Sequence, residues 1–166
     1  SIIEVLVERG VDVKLVCVGE GHLREQLIQS ASAKGIASNV VFAGLRDDVA
    51  LIMRSVFDVI VFPSIWEGLP VVVLESQAAG KPCIVSDIVT PETTLFEPLV
   101  RRLSLQRGPE EWADAVLSTV EDTKEIKHGD VLTAILGSPF DIDHSVRLLE
   151  DYYREACAHL DARKMT

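Results

Sequence analysis

The chain has 166 residues, a formal net charge of −10, 48 % hydrophobic residues, 5 % aromatic residues and three cysteines, with a mean hydropathy of +0.24. That is enough chain for one substantial core, filled mainly by Val, Ile, Leu and Ala. So acidic a domain has the wrong sign for sequence-independent nucleic-acid binding, it has no polybasic run for anionic lipid, and its apolar runs fall far short of the roughly 20 residues that span a bilayer.

In chain order, residues 1–9 read as a helix with Ile2, Ile3, Leu6 and Val7 on one face, stopped at Gly10. Residues 13–18 are a β-branched run, a strand, followed by the Gly19-Glu20-Gly21 turn. Residues 22–34 form an amphipathic helix with Leu23, Leu27 and Ile28 inward, closed by Gly35. A strand over 39–42, a turn at Gly44 and a helix capped by Asp47 and running to about Ser55 come next. Residues 58–62 are a continuous apolar strand, 63–68 a loop, 70–79 a helix ended by Gly80, and 82–86 another strand.

Alternating strands and helices joined by short connections predict an α/β fold, a doubly wound parallel, Rossmann-like sheet flanked by helices. Beyond Ser86 the expectations are a loop over 87–98, a last strand over 100–105 and a helix over 109–120 with Trp112 on its apolar face. A helical stretch over 123–136, interrupted at His128-Gly129-Asp130, and a long amphipathic helix over 143–160, entered through acids from Asp141, complete the chain. A doubly wound sheet ordinarily opens on a strand, so a strand is expected upstream of Ser1, with residues 1–166 forming one domain. Three sparse cysteines, Cys17, Cys83 and Cys157, without metal-ligand spacing suit a reducing compartment. Cys17 and Cys83 read as small buried hydrophobes.

The chemistry concentrates in PSIWEGLPVVVLESQAAGKPCIVSD, residues 63–87. In an open parallel sheet, ligands sit beyond the carboxyl ends of the strands, where this loop lies. Gly68 permits unusual backbone angles and Pro70 suits a first helical position. Together they aim a helix amino terminus, with free amides and roughly half a positive charge, at the crevice. In so acidic a domain that is where a diphosphate would bind. Glu67 lies beside the helix start and Glu75 in its second turn, after the apolar run Val71–Leu74. A carboxylate next to buried Val and Leu needs hydrogen-bond donors, which sugar and ribose hydroxyls supply. Backbone amides would serve Glu75 equally, and Glu67 would then be merely exposed.

This segment resembles the signature of the family 4 retaining glycosyltransferases, which have the GT-B architecture. Their paired glutamates, with seven residues between them, read here as EGLPVVVLE, followed by SQAAGKPCIVSD. VCVGEGHLREQL, NVVFAGLRDDV and DVIVFPS fall in the family's order. The likeness covers residues 13–87 well and the rest loosely. It implies that the chain is the carboxyl-terminal, donor-binding half of a GT-B enzyme that moves a sugar from a nucleoside diphosphate sugar to an acceptor hydroxyl with retention.

By the same resemblance, Glu67 contacts hydroxyls of the donor sugar beside the reacting centre, though not as a nucleophile, and Glu75 holds the ribose. Amides around Gly68, Leu69 and Val71, at the helix opened by Pro70, meet the sugar and diphosphate. The turn from Gly44 through Arg46 to Asp48 runs along the base. It implies no metal and no cofactor. A Gly-Arg turn and a Lys that clamp the phosphates are expected upstream of Ser1, and the acceptor site in an amino-terminal domain, so that residues 1–166 alone bind weakly and transfer nothing. The partners implied are a glycan or lipid-linked acceptor and that second domain, in the cytoplasm and at the periphery of the inner membrane.

Where the family often has paired glycines and Ile-Pro-Glu, this chain has Ile88-Val89-Thr90-Pro91-Glu92-Thr93-Thr94, which leaves the sugar open. The later Leu103-Ser104-Leu105 and Trp112 resemble members that build bacterial exopolysaccharide. Trp66 either covers the sugar site or caps the core. His22, His128, His144 and His159 are scattered and read as surface or capping residues. The alternatives are a nucleotide-sugar epimerase on the same architecture and a flavodoxin-like regulatory module. The module lacks its acidic cluster here, with only Glu20 after the first visible strand.

Overall fold

All five expected strands form, as seen in a computed structural model that describes the backbone of residues 1–164 and the side chains of residues 1–157. They are β1 (Leu15–Val18), β2 (Val40–Gly44), β3 (Ile60–Phe62), β4 (Cys83–Ser86) and β5 (Val100–Leu103), and every pairing is parallel. The ladders run β1-β2 and β3-β4-β5, with no ladder joining β1 to β3. The helices are α1 (Ile2–Glu8), α2 (Arg24–Ala33), α3 (Val49–Val56), α4 (Val71–Ala78), α5 (Pro109–Asp122), α6 (His128–Ile135) and α7 (Ile142–Lys164).

Strand β4 explains why both faces are covered. Its four residues are all buried, and successive side chains point to opposite faces. Ile84 packs with Leu6 of α1 and with Trp112, Ala113, Ala115 and Val116 of α5. Cys83 and Val85 pack on the other side with Val73 of α4, Val89 and Val100. Burial holds the Cys83 thiol up at about 12, against a lowering hydrogen bond with Ser76, so it behaves as a small hydrophobe. Cys17 is only half-buried.

Helix α1 spans both ladders. Leu6 belongs to the β4 cluster, whereas Ile3 packs with Ala31 of α2, Ile36, Val13 and Val40 beside the first ladder. Glu4 of the same helix meets Lys34. The Lys34 hydrogen bond above all holds its carboxyl at about 2 rather than 4.5. A folded-state value below the unfolded one favours the fold above that unfolded value, and the contribution is lost as pH falls through about 2. Replacing Lys34→Met is expected to bring Glu4 back toward an ordinary carboxylate titration, read by carboxyl carbon NMR. An unmoved titration would contradict the pairing.

Several local expectations need correction. Leu23 and Leu27 are exposed, because α2 meets the core through the small Ala31 nearer its carboxyl end. Asp48, not Asp47, is the cap residue of α3, and its side chain makes no capping bond. His128-Gly129-Asp130 begins α6 instead of interrupting a helix, with the His128 ring against Gly80. Asp141 does cap α7, accepting the amides of Gly137 and Asp143 at 2.9 and 3.0 Å. The side chain of His159 lies outside the described residues.

Candidate functional site

The loop from Pro63 to Leu69 leaves the carboxyl end of β3 and enters α4. Its shape comes from one serine. Ser86, buried at the end of β4, donates its hydroxyl to the Ser64 carbonyl at 2.6 Å. The Ser64 hydroxyl reaches the Glu67 carboxylate at 2.8 Å and the Trp66 carbonyl at 3.2 Å. Glu67 is therefore exposed yet held, on a loop tied to the most buried strand.

At the mouth of α4 the cap residue is Pro70, with φ −72° and ψ 100°, one position earlier than expected. No side chain caps the helix. The Val73 amide turns back to the Pro70 carbonyl at 3.1 Å, which leaves the amides of Val71 and Val72 without a partner among the described residues. These two N–H groups and the helix dipole form the positive end that an anion needs. Gly68 takes no positive φ, and a Cβ there would meet nothing within 4 Å. Its contribution in this conformation is open space, not unusual backbone angles. Leu69 and Val71 are exposed at the same edge.

Glu75 is also exposed, with no hydrogen bond to its side chain among the described residues. The reading of a carboxylate pressed against buried Val and Leu is thus overturned: Val73 points inward, and Glu75 projects from α4 with its acceptor capacity unused. So is its blander counterpart, a carboxylate already satisfied by backbone amides.

At the end of β2, Gly44 takes φ +68°, a conformation that penalises other residues. Its carbonyl accepts the Gly19 amide at 2.7 Å, which ties the turn after β1 to the turn after β2. Leu45, Arg46, Asp47 and Asp48 line an open hollow of about 430 Å³. Arg46 does not reach into free space. Its guanidinium grips Asp48 with two bonds of 2.8 and 2.7 Å, and this contact lowers the Asp48 carboxyl below the ordinary range. The predicted residues therefore fall into two groups, Glu67–Val71 with Glu75 and Gly44–Asp48. No hydrogen bond or ion pair among the described residues joins one group to the other. No cluster of three His, Cys, Asp or Glu among those residues has the arrangement of a metal site.

One residue that anchors the surroundings of the site escaped the sequence reading. Gln77 of α4 is 0 % exposed. Its amide nitrogen donates to the carbonyls of Val73 and Thr93 at 2.8 and 2.7 Å, and its oxygen accepts the amides of Leu95 and Phe96 at 2.8 and 3.0 Å. Arg102 of β5 completes the anchoring through the carbonyls of Val89 and Thr90 and the hydroxyl of Thr94. The loop that departs from the expected glycine-rich pattern is thus pinned against α4. A buried Gln in a helix beside the paired glutamates was the available signal, but its partners lie 16 to 19 residues away.

The family described as glycosyl transferases group 1 matches residues 2–130. The chain belongs to that family. A Bacillus subtilis protein named as a glycosyltransferase, EpsF, is 41 % identical over 111 residues, 67 % of this chain and 29 % of its own length. An Escherichia coli protein, UDP-Gal:alpha-D-GlcNAc-diphosphoundecaprenol alpha-1,3-galactosyltransferase, is 38 % identical over 78 residues, 46 % of this chain and 20 % of its length. Among solved structures, Anabaena Alr3699/HepE in complex with UDP superposes with a TM-score of 0.71 at 21 % identity, covering 92 % of this chain and 44 % of that one. The chain therefore spans under half the length of each of these relatives. Membership of the family does not favour the epimerase or the regulatory module.

Proposed function

We propose that residues 1–166 are the donor-binding half of a retaining glycosyltransferase, which passes a sugar from a nucleoside diphosphate sugar to an acceptor hydroxyl. The observation that carries this is the uncapped mouth of α4, with the free amides of Val71 and Val72, between two exposed carboxylates at the carboxyl edge of a parallel sheet. The amides of Gly68, Leu69, Val71 and Val72 would take the diphosphate and sugar, Glu67 the sugar hydroxyls, and Glu75 the ribose. The Gly44–Asp48 turn would lie along the base, by main chain, since Arg46 is occupied by Asp48. A cationic clamp, expected outside these residues, would balance the leaving diphosphate without a metal.

The parallel ladders β1-β2 and β3-β4-β5 fit a doubly wound sheet. Helix α7 also exposes Ile142, Val146, Leu149 and Tyr153 on one face, suited to contact with a second domain. The E. coli relative's name carries a diphosphoundecaprenol-linked substrate, which supports a lipid-linked acceptor and a cell-surface glycan product. No helix among the described residues is long and apolar enough to cross a membrane. Sparse, unpaired cysteines favour a reducing, cytoplasmic setting.

The test is a titration of UDP and UDP-glucose into the purified chain, together with a transfer assay. Weak binding without transfer is the expected result. Detectable sugar transfer by residues 1–166 alone would refute the division, and failure of both nucleotides to bind would refute the donor reading.

A further inference from the structure

Trp66 is the most solvent-exposed large apolar side chain described, at 85 %, and Ile65 beside it follows at 82 %. An exposed indole forgoes burial that its area would otherwise favour. It does not cap the core, which closes without it: Trp112 fills that place, 4 % exposed, with its indole N–H on the Ser104 carbonyl. Nor is Trp66 on a loose loop. The Ser64 hydroxyl donates to the Glu67 carboxylate at 2.8 Å, with the Trp66 carbonyl 3.2 Å from the same oxygen, and the Ser64 carbonyl accepts from buried Ser86.

One serine therefore holds an acid through its hydroxyl while its own carbonyl is tied to buried Ser86, and this fixes the loop that carries the adjacent aromatic residue at the edge of the sheet. That pairing is the chemistry of carbohydrate recognition. A pyranose presents an apolar face of C–H groups, which an indole covers, and a rim of hydroxyls, which a carboxylate accepts.

We propose that Trp66 is a stacking platform for a pyranose ring, acting beside Glu67; this rests on the donor-site reading above. The ring belongs either to the donor sugar or to a sugar acceptor, and the arms of the test separate these. The chain has two tryptophans, so Trp66→Phe assigns the two indole N–H signals in a nitrogen-correlated NMR spectrum. The arms are UDP, UDP-glucose, and UDP with methyl α-glucopyranoside. A donor ring moves the Trp66 signal with UDP-glucose but not with UDP. An acceptor ring moves it only when the glycoside joins UDP. In either case the Trp112 signal stays still, and Trp66→Ala weakens the sugar-bearing ligand about five- to tenfold while UDP affinity stays within about twofold.

If UDP moves the Val71 and Val72 amides while Trp66 is silent in every arm and Trp66→Ala binds as before, the stacking role is overturned and the donor site stands. If neither nucleotide moves those amides, the donor reading falls, and this proposal with it.

Discussion

Replacing Gln77→Leu is expected to destabilise the fold by about 4 kcal/mol, because leucine keeps the volume but strips partners from buried backbone groups. The amides of Leu95 and Phe96 and the carbonyl of Thr93 all lose their bond to the Gln77 side chain, and each group left without a partner costs about 1–3 kcal/mol. Urea unfolding reads the loss as a midpoint lowered by roughly 2 M, for a slope near the middle of the usual range. The variant should also become more cleavable in the loop after β4, since only Arg102 and the packing of Val89 would then tie its middle to the sheet. A midpoint unchanged within error would mean that the loop finds other partners, and that the four bonds contribute little.

The second large effect is on binding and leaves stability alone. Glu75→Gln is expected to weaken a nucleoside diphosphate sugar by roughly 10- to 100-fold, the equivalent of losing charge-assisted hydrogen bonds to two ribose hydroxyls. Thermal stability should not move, because Glu75 is exposed and makes no hydrogen bond through its side chain among the described residues. Neighbouring positions on α4 would thus separate the two roles, with Gln77 holding the fold and Glu75 holding the ligand. Calorimetric titration beside a melting curve checks both halves. A Glu75→Gln variant with unchanged affinity, or with lowered stability, would contradict the assignment.

These contrasts show which kinds of information the sequence carries locally. The strands were legible because a parallel strand buried on both faces must be a continuous apolar run, as in Cys83-Ile84-Val85 of β4. The mouth of α4 was legible to within a residue, because a proline before an apolar run constrains the backbone wherever the rest of the chain goes. Exposure was not. Leu23 and Leu27 have the spacing of an inward face, but what lies under α2 is decided at its carboxyl end by Ile36 and by Ile3, the latter far from it in sequence. Glu75 follows three valines and a leucine, yet helical geometry turns it outward while Val73 is buried. The Arg46–Asp48 grip and the Gln77 anchors depend on side-chain geometry that spacing does not specify. The separation of the sheet into two ladders is likewise a property of strand order and cannot be read from any one strand.

Soaking the protein with UDP-glucose and solving the structure addresses the donor site most directly. The account predicts the diphosphate within hydrogen-bond distance of the Val71 and Val72 amides and the ribose hydroxyls on the Glu75 carboxylate. A nucleotide bound elsewhere, or bound at α4 with Glu75 turned away from it, would contradict that prediction.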